Sequence, residues 1–69
     1  QMQGYSIIIP VYNEEDLIIE NTLKLKNYMD SLSINYEILI GSNGSTDLTI
    51  EYGTLLSNQI NVVHFFYLD

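Results

Sequence analysis

The run Ile7-Ile8-Ile9, set within Tyr5–Val11 (YSIIIPV), is continuous rather than alternating. An extended chain sends successive side chains to opposite faces, so such a run places apolar groups on both. That is the pattern of a strand buried on two sides, as in a parallel sheet. Pro10 has no N–H to give to a ladder, so the strand is predicted to end there. Two further short apolar stretches, Tyr36–Ile40 (YEILI) and Asn61–Leu68 (NVVHFFYL), read as a second and a third strand.

The segments between them have helical spacing. Asn13 is a good helix N-cap, and Glu14, Glu15 and Asp16 then fall in the first turn, where acids favour the positive end of the helix dipole. Ile18, Thr22, Leu25, Met29 and Leu32 recur at intervals of four and three and share one face, with Lys24, Lys26 and Asn27 off it. The helix is predicted to end near Ser31 to Ser33. After the second strand comes the loop Gly41–Asp47 (GSNGSTD). Ser45 or Thr46 can cap a second helix, with Asp47 in its first turn and Leu48, Tyr52, Leu55 and Leu56 as its apolar stripe. Asn58 is a plausible stop.

Strand, helix, strand, helix, strand implies parallel strands joined by right-handed crossovers. The fold class is therefore α/β: a three-layer, Rossmann-like half-sheet (βαβαβ) with its strands in the order 3-2-1. No internal linker, low-complexity stretch or short repeat interrupts it. A three-stranded half-sheet leaves an edge to be covered, by the remainder of its own domain or by an oligomeric partner. The chain thus reads as the first part of a larger domain.

Composition narrows the function. At 69 residues the chain has one core, and it has no cysteine for a disulfide or for thiol chemistry. Nine acidic residues against two lysines give a net charge of −7, with no arginine. This argues against nucleic acid as a partner and against contact of this segment with an anionic membrane. The longest apolar runs, Ile7–Tyr12 and Val62–Leu68, fall far short of the roughly 20 residues of a spanning helix, and no signal peptide opens the chain. Gln1 ahead of Met2 reads as an added residue outside the native start.

In open parallel sheets ligands bind beyond the carboxyl ends of the strands. Two loops occupy that position, Pro10–Glu15 (PVYNEE) and Gly41–Asp47. Between them Tyr12 offers a flat aromatic wall. Glu14 or Glu15 can accept hydrogen bonds from ribose hydroxyls, and the Asn43 amide can read a base edge. Gly44 lets a ligand approach the backbone. Plainer readings stand beside each of these. Tyr12 packs on the first helix; Glu14 and Glu15 are solvated and favour the dipole; Gly41 and Gly44 serve turn geometry; Asp47 satisfies backbone donors at a helix start. His64 has no Cys or His partner at ligand spacing, so it reads as a packed or edge histidine. Neither G-x-G-x-x-G nor G-x-x-x-x-G-K-[ST] occurs, and no Ser-His-Asp arrangement can be placed.

Taken together, SIIIPVYNEE (Ser6–Glu15), YEILI (Tyr36–Ile40) and NGSTD (Asn43–Asp47) resemble the N-terminal half of the nucleotide-binding subdomain of family 2 glycosyltransferases, which have the GT-A fold. Dolichyl-phosphate mannose and glucose synthases are members. The family pattern is a buried strand ending in P-x-Y-N-E, a helix, a strand, and D-D-G-S-T-D opening the next helix. The resemblance covers nearly the whole chain. By position, it implies that Pro10, Val11, Tyr12 and Glu14 line the base and ribose. Ser42 and Asn43 match the two aspartates of the loop, the second of which contacts the base, and Gly44, Ser45, Thr46 and Asp47 match the remainder. The departure is Ser42-Asn43, where two acids are replaced by neutral residues. Asn43 still accepts, but more weakly and without charge.

The resemblance further implies an enzyme that transfers a sugar from a nucleotide diphospho-sugar to a polyprenyl phosphate, a glycan or a protein. Residues 1–69 would be the N-terminal part of its nucleotide-sugar-binding domain. The divalent metal, Mg or Mn, would be held by a D-x-D motif beyond this chain, since Asp69 ends the third strand too early to be that motif. The catalytic base also lies beyond it, so this segment alone is expected to be inactive. The implied setting is cytoplasmic, with the cytoplasmic face of a membrane as the alternative for the full-length protein. Two other readings stay open: a non-catalytic nucleotide-binding or assembly module of the same fold, and, more weakly, a phospho-receiver-like domain.

Overall fold

Ile7, Ile8 and Ile9 do not share one environment. The computed structural model of the chain describes residues 4–68, and in it strand β1 runs Gly4–Val11, helix α1 Ile18–Ser31, strand β2 Asn35–Asn43, helix α2 Thr49–Gln59 and strand β3 Val63–Leu68. The strands are all parallel, in the order β1-β2-β3, which is the predicted 3-2-1 read from the other edge. Register pairs Ile9 with Ile40 and Ile40 with Phe65, and at the carboxyl ends Val11 with Ser42 and Ser42 with Tyr67.

Alternation divides these strands into two faces. Ile38, Ile40 and Val63 are completely or almost completely buried, and with Val11, Ile18 and Leu56 they form the core. Ile7, Ile9 and Phe65 pack against it. Both helices lie on this side and touch each other. The opposite face carries Ile8, 73% exposed, with Phe66 at 59% and Leu68 at 69%. The described residues thus form two layers, and β1 is buried on one face only, not on the two that its continuous apolar run predicts.

Several local expectations are corrected. β1 extends one residue past Pro10, which costs no ladder bond because β1 is an edge strand among the described residues. β2 runs three residues beyond Ile40, so Gly41, Ser42 and Asn43 are strand rather than loop; pairing with Phe66, Tyr67 and Leu68 outweighs their turn-like composition. Gly41 therefore serves no turn. α1 starts at Ile18, not after Asn13, which instead has a left-handed φ of 48°. Glu14, Glu15 and Asp16 consequently lie in a preceding turn, closed by the Leu17 and Ile18 N–H groups on the Glu14 carbonyl at 3.0 and 2.8 Å.

On α1 the expected face holds for Ile18, Thr22 and Met29, while Leu32 lies past the helix end and is exposed. On α2 the buried face is Thr49, Gly53 and Leu56; Leu48 and Leu55 are turned outward. The reason is Gly53. A β-carbon there would sit 2.7 Å from Cγ of Phe65 and nearer still to Cδ1 and Cε1, so the bare backbone lets α2 settle onto β3.

Candidate functional site

The carboxyl ends of β1 and β2 are neighbours, so the segments that follow them, residues 12–17 and 44–48, lie side by side. They are tied together by a reciprocal set of hydrogen bonds. Asn13 N–H donates to Ser45 Oγ at 3.1 Å, and Asn13 Oδ1 accepts from Thr46 N–H at 2.7 Å. Glu14 N–H donates to Thr49 Oγ1 at 2.7 Å and Glu15 N–H to Asp47 Oδ2 at 3.2 Å. In return, Glu15 Oε1 accepts from Leu48 N–H at 2.9 Å. The left-handed backbone of Asn13 is what turns its N–H and amide oxygen toward the same neighbouring segment; Asn tolerates this conformation better than most residues.

Asp47 is the anchor of this set. Its Oδ1 accepts from the N–H of Thr49 at 2.9 Å and from the Thr49 hydroxyl. It thereby satisfies a free donor at the start of α2 from just outside the helix, the structural role considered for it from sequence. Neither Ser45 nor Thr46 caps the helix. Burial pushes the Asp47 carboxyl up, but the bonds from Thr49 Oγ1, Thr49 N–H and Glu15 N–H outweigh it and hold the group below the usual carboxylate value.

The sequence-predicted residues fall into two groups. Val11 is buried in the core, and Ser42 is buried with its Oγ bonded to Ser45 Oγ, so both side chains face the helices. Only their main chain borders the loops. Pro10, Tyr12 and Asn43 are exposed, Glu14 and Gly44 half-buried. Asn43 lies on the uncovered face with Gly41 and Leu68, because side chains alternate along β2. Of the two residues standing where the family loop has acids, Asn43 alone is open to a ligand. Gly44 has a φ of 77° and donates its N–H to the Leu68 carbonyl at 2.9 Å, which closes the loop onto the end of β3. Among the described residues the side chains of Tyr12, Glu14 and Asn43 make no hydrogen bond to protein. Sequence reasoning missed Thr49 and the pairing role of Asn13; a Thr two residues after an Asx at a helix start was the available signal.

These loops carry four carboxylates, Glu14, Glu15, Asp16 and Asp47, and no lysine or arginine. Both lysines are on α1 and paired within it, Lys24 with Glu20 at 2.9 Å and Lys26 with Asp30 at 2.8 Å. The arrangement can offer an aromatic face, an acceptor carboxylate and an amide to a neutral polar ligand. A phosphate group placed here faces these carboxylates with no lysine or arginine to offset them. Among the described residues no group of three or more His, Cys, Asp or Glu stands together as metal ligands, and the Asp47 and Glu15 carboxylates accept from backbone N–H groups. His64 is an exposed residue on the uncovered face of β3, its Nε2 3.5 Å from Glu37 Oε1, whose other oxygen accepts from Ser6 Oγ at 2.6 Å. An open depression lined by Gly4, Tyr5, Ser6, Asn35, Tyr36 and Glu37 lies at the opposite, amino end of the strands. No helix among the described residues is long and apolar enough to cross a membrane.

With this geometry in place, comparison with known proteins is specific. The uncharacterized glycosyltransferase YkcC of Bacillus subtilis (strain 168) is 41% identical over 64 residues, which is 88% of this chain and 20% of that protein. An uncharacterized glycosyltransferase of Synechocystis is 41% identical over 46 residues, 67% of this chain and 14% of that one. The undecaprenyl-phosphate 4-deoxy-4-formamido-L-arabinose transferase of Edwardsiella ictaluri is 38% identical over 50 residues, 72% of this chain and 15% of that protein. The chain therefore spans a fifth or less of the length of these relatives. The family model for glycosyl transferase family 2 matches residues 6–68, and the chain belongs to that family.

Proposed function

We propose that the full-length protein transfers a sugar from a nucleotide diphospho-sugar to an acceptor, and that residues 1–69 form the N-terminal part of its nucleotide-sugar-binding domain. This segment supplies the nucleoside wall: Pro10, Tyr12, Glu14, Asn43 and Gly44, with the main chain of Val11 and Ser42. The observation that supports it best is the pairing of Val11 with Ser42, which sets the two family motifs edge to edge with Tyr12, Glu14 and Asn43 unbonded. Of the adjacent glutamates, Glu14 is the better ribose acceptor, because the Glu15 carboxylate is already bonded to Leu48 N–H.

The diphosphate is to be held by Mg or Mn on residues beyond this chain, a metal that would neutralise the leaving nucleotide. A polyprenyl phosphate is the first acceptor to test, since one relative is named for transfer involving undecaprenyl phosphate. A glycan or a protein comes after it. The rest of the domain covers the bare face of Ile8, Phe66 and Leu68, and the setting is cytoplasmic or the cytoplasmic face of a membrane. The test is transfer by the full-length protein from several nucleotide-sugars, with Mg²⁺, with Mn²⁺ and with chelator. Metal-dependent transfer from at least one donor is expected; no hydrolysis or transfer from any sinks the proposal. A second reading, a non-catalytic module of the same fold, draws on Ser42 and Asn43 standing where the family loop has acids. It predicts nucleotide binding without turnover.

A further inference from the structure

Thr49 opens α2 and is fully buried. A buried hydroxyl needs partners, and this one has two of opposite kind. Asp47, an ionised carboxylate, can only accept, so the Thr49 hydroxyl donates to it and keeps an oxygen lone pair for the Glu14 N–H. The Glu14 carbonyl is held from the other side by the Leu17 and Ile18 N–H groups. Both backbone polar groups of Glu14 are therefore fixed, while its carboxylate is bonded to nothing among the described residues. Glu15 next door differs: its N–H is bonded to Asp47 and its carboxylate is already committed to the Leu48 N–H.

We infer that Thr49 is a positioning residue for ribose recognition. It fixes the Glu14 main chain, so that the Glu14 carboxylate is presented to a ribose hydroxyl from a backbone held in place. This rests on the nucleoside-wall reading above, and it adds to the site a residue that touches no ligand. Orientation matters because a polar contact discriminates only while its geometry is held. Valine is nearly the same shape as threonine but removes the acceptor, leaving the Glu14 N–H unpaired and Asp47 one donor short. Serine retains both bonds.

The experiment measures Kd of UDP and GDP, and of their 2′-deoxy and 3′-deoxy forms, for the full-length protein by calorimetry. The wild type is expected to prefer the ribose form by about tenfold or more over at least one deoxy form, as for loss of a hydrogen bond to a charged group. Glu14→Gln and Thr49→Val should both reduce that preference severalfold, and Thr49→Ser should preserve it. If Thr49→Val weakens ribose and deoxy forms equally, or leaves both Kd values unchanged, Thr49 is merely structural and the inference is overturned. A wild type without preference, or a Glu14→Gln variant that retains it, instead overturns the assignment of Glu14 and the inference with it. Absence of all nucleotide binding overturns the nucleoside wall itself. If circular dichroism shows the valine variant unfolded, Thr49→Cys, with a weak thiol acceptor, takes its place under the same criteria.

Discussion

Replacing Gly53 by alanine sets two effects of known size against each other. Alanine is favoured over glycine in a helix interior by about 1 kcal/mol, so on an open surface the change stabilises. Here the new methyl meets Phe65 Cγ at 2.7 Å, where ordinary van der Waals contact starts at 3.4 Å. Cγ is the ring atom nearest the main chain. Spinning the ring about its own axis does not move it; β3 or the χ1 angle must shift instead. Forced overpacking of this kind costs about 1–3 kcal/mol, so the net expectation is a loss of up to about 2 kcal/mol once the helix gain is subtracted. Urea unfolding of wild type and variant should show a lower midpoint at unchanged slope. Phe65→Leu in the Gly53→Ala background should recover part of the loss, giving a favourable coupling of about 0.5 kcal/mol or more. A Gly53→Ala protein stabilised by about 1 kcal/mol would refute the close approach of α2 to β3.

Three further outcomes follow from the site and its supports. Asn43→Asp in the full-length protein should tighten nucleotide binding, measured as Kd across UDP and GDP, because a charged acceptor bonds a base N–H more strongly; unchanged affinity for both counts against Asn43 as the base contact. The lowered Asp47 carboxyl contributes stability that is complete above its ordinary 3.8 and is lost as pH falls through the lower folded value. Asp47→Asn should accordingly flatten the acid limb of the stability–pH curve, read by unfolding at a series of pH values below about 5. Tyr36 is pushed up to about 12 by burial, by its bond to Asp30 Oδ1 and by the charge of Asp30. Its contribution is whole below the ordinary 10.0 and falls away as pH rises through about 12; ultraviolet titration should lose one late phenol in Tyr36→Phe.

Much of this was legible in the residues. Continuous apolar runs gave three parallel strands, and helical spacing gave the two crossovers, which together brought PVYNEE beside GSNGSTD. What stayed hidden depends on partners far away in sequence. Gly41-Ser42-Asn43 looks like loop until β3 pairs with it, since turn-prone composition is a weak preference that a ladder overrides. The α2 face was read correctly at Tyr52 and Leu56 but not at Leu48 and Leu55, because an apolar stripe gives no weight to glycine, and Gly53 is central to the face. Asn13 matched the rule for a helix cap, but its oxygen serves the Thr46 N–H across the site. Thr49 carries only the local signal of its spacing from Asp47; its bond to the Glu14 N–H exists only once both loops are folded.

The claim that these loops form a nucleoside wall can be tested by photolabelling. Full-length protein would be irradiated with 5-azido-UDP or 8-azido-GDP, with and without excess unlabelled nucleotide, and the labelled peptides mapped. Label on Tyr12–Glu14 or Asn43–Gly44 that the unlabelled nucleotide removes is the predicted result. Competable label confined to other residues, such as the depression around Tyr5 and Tyr36 at the amino ends of the strands, would contradict it.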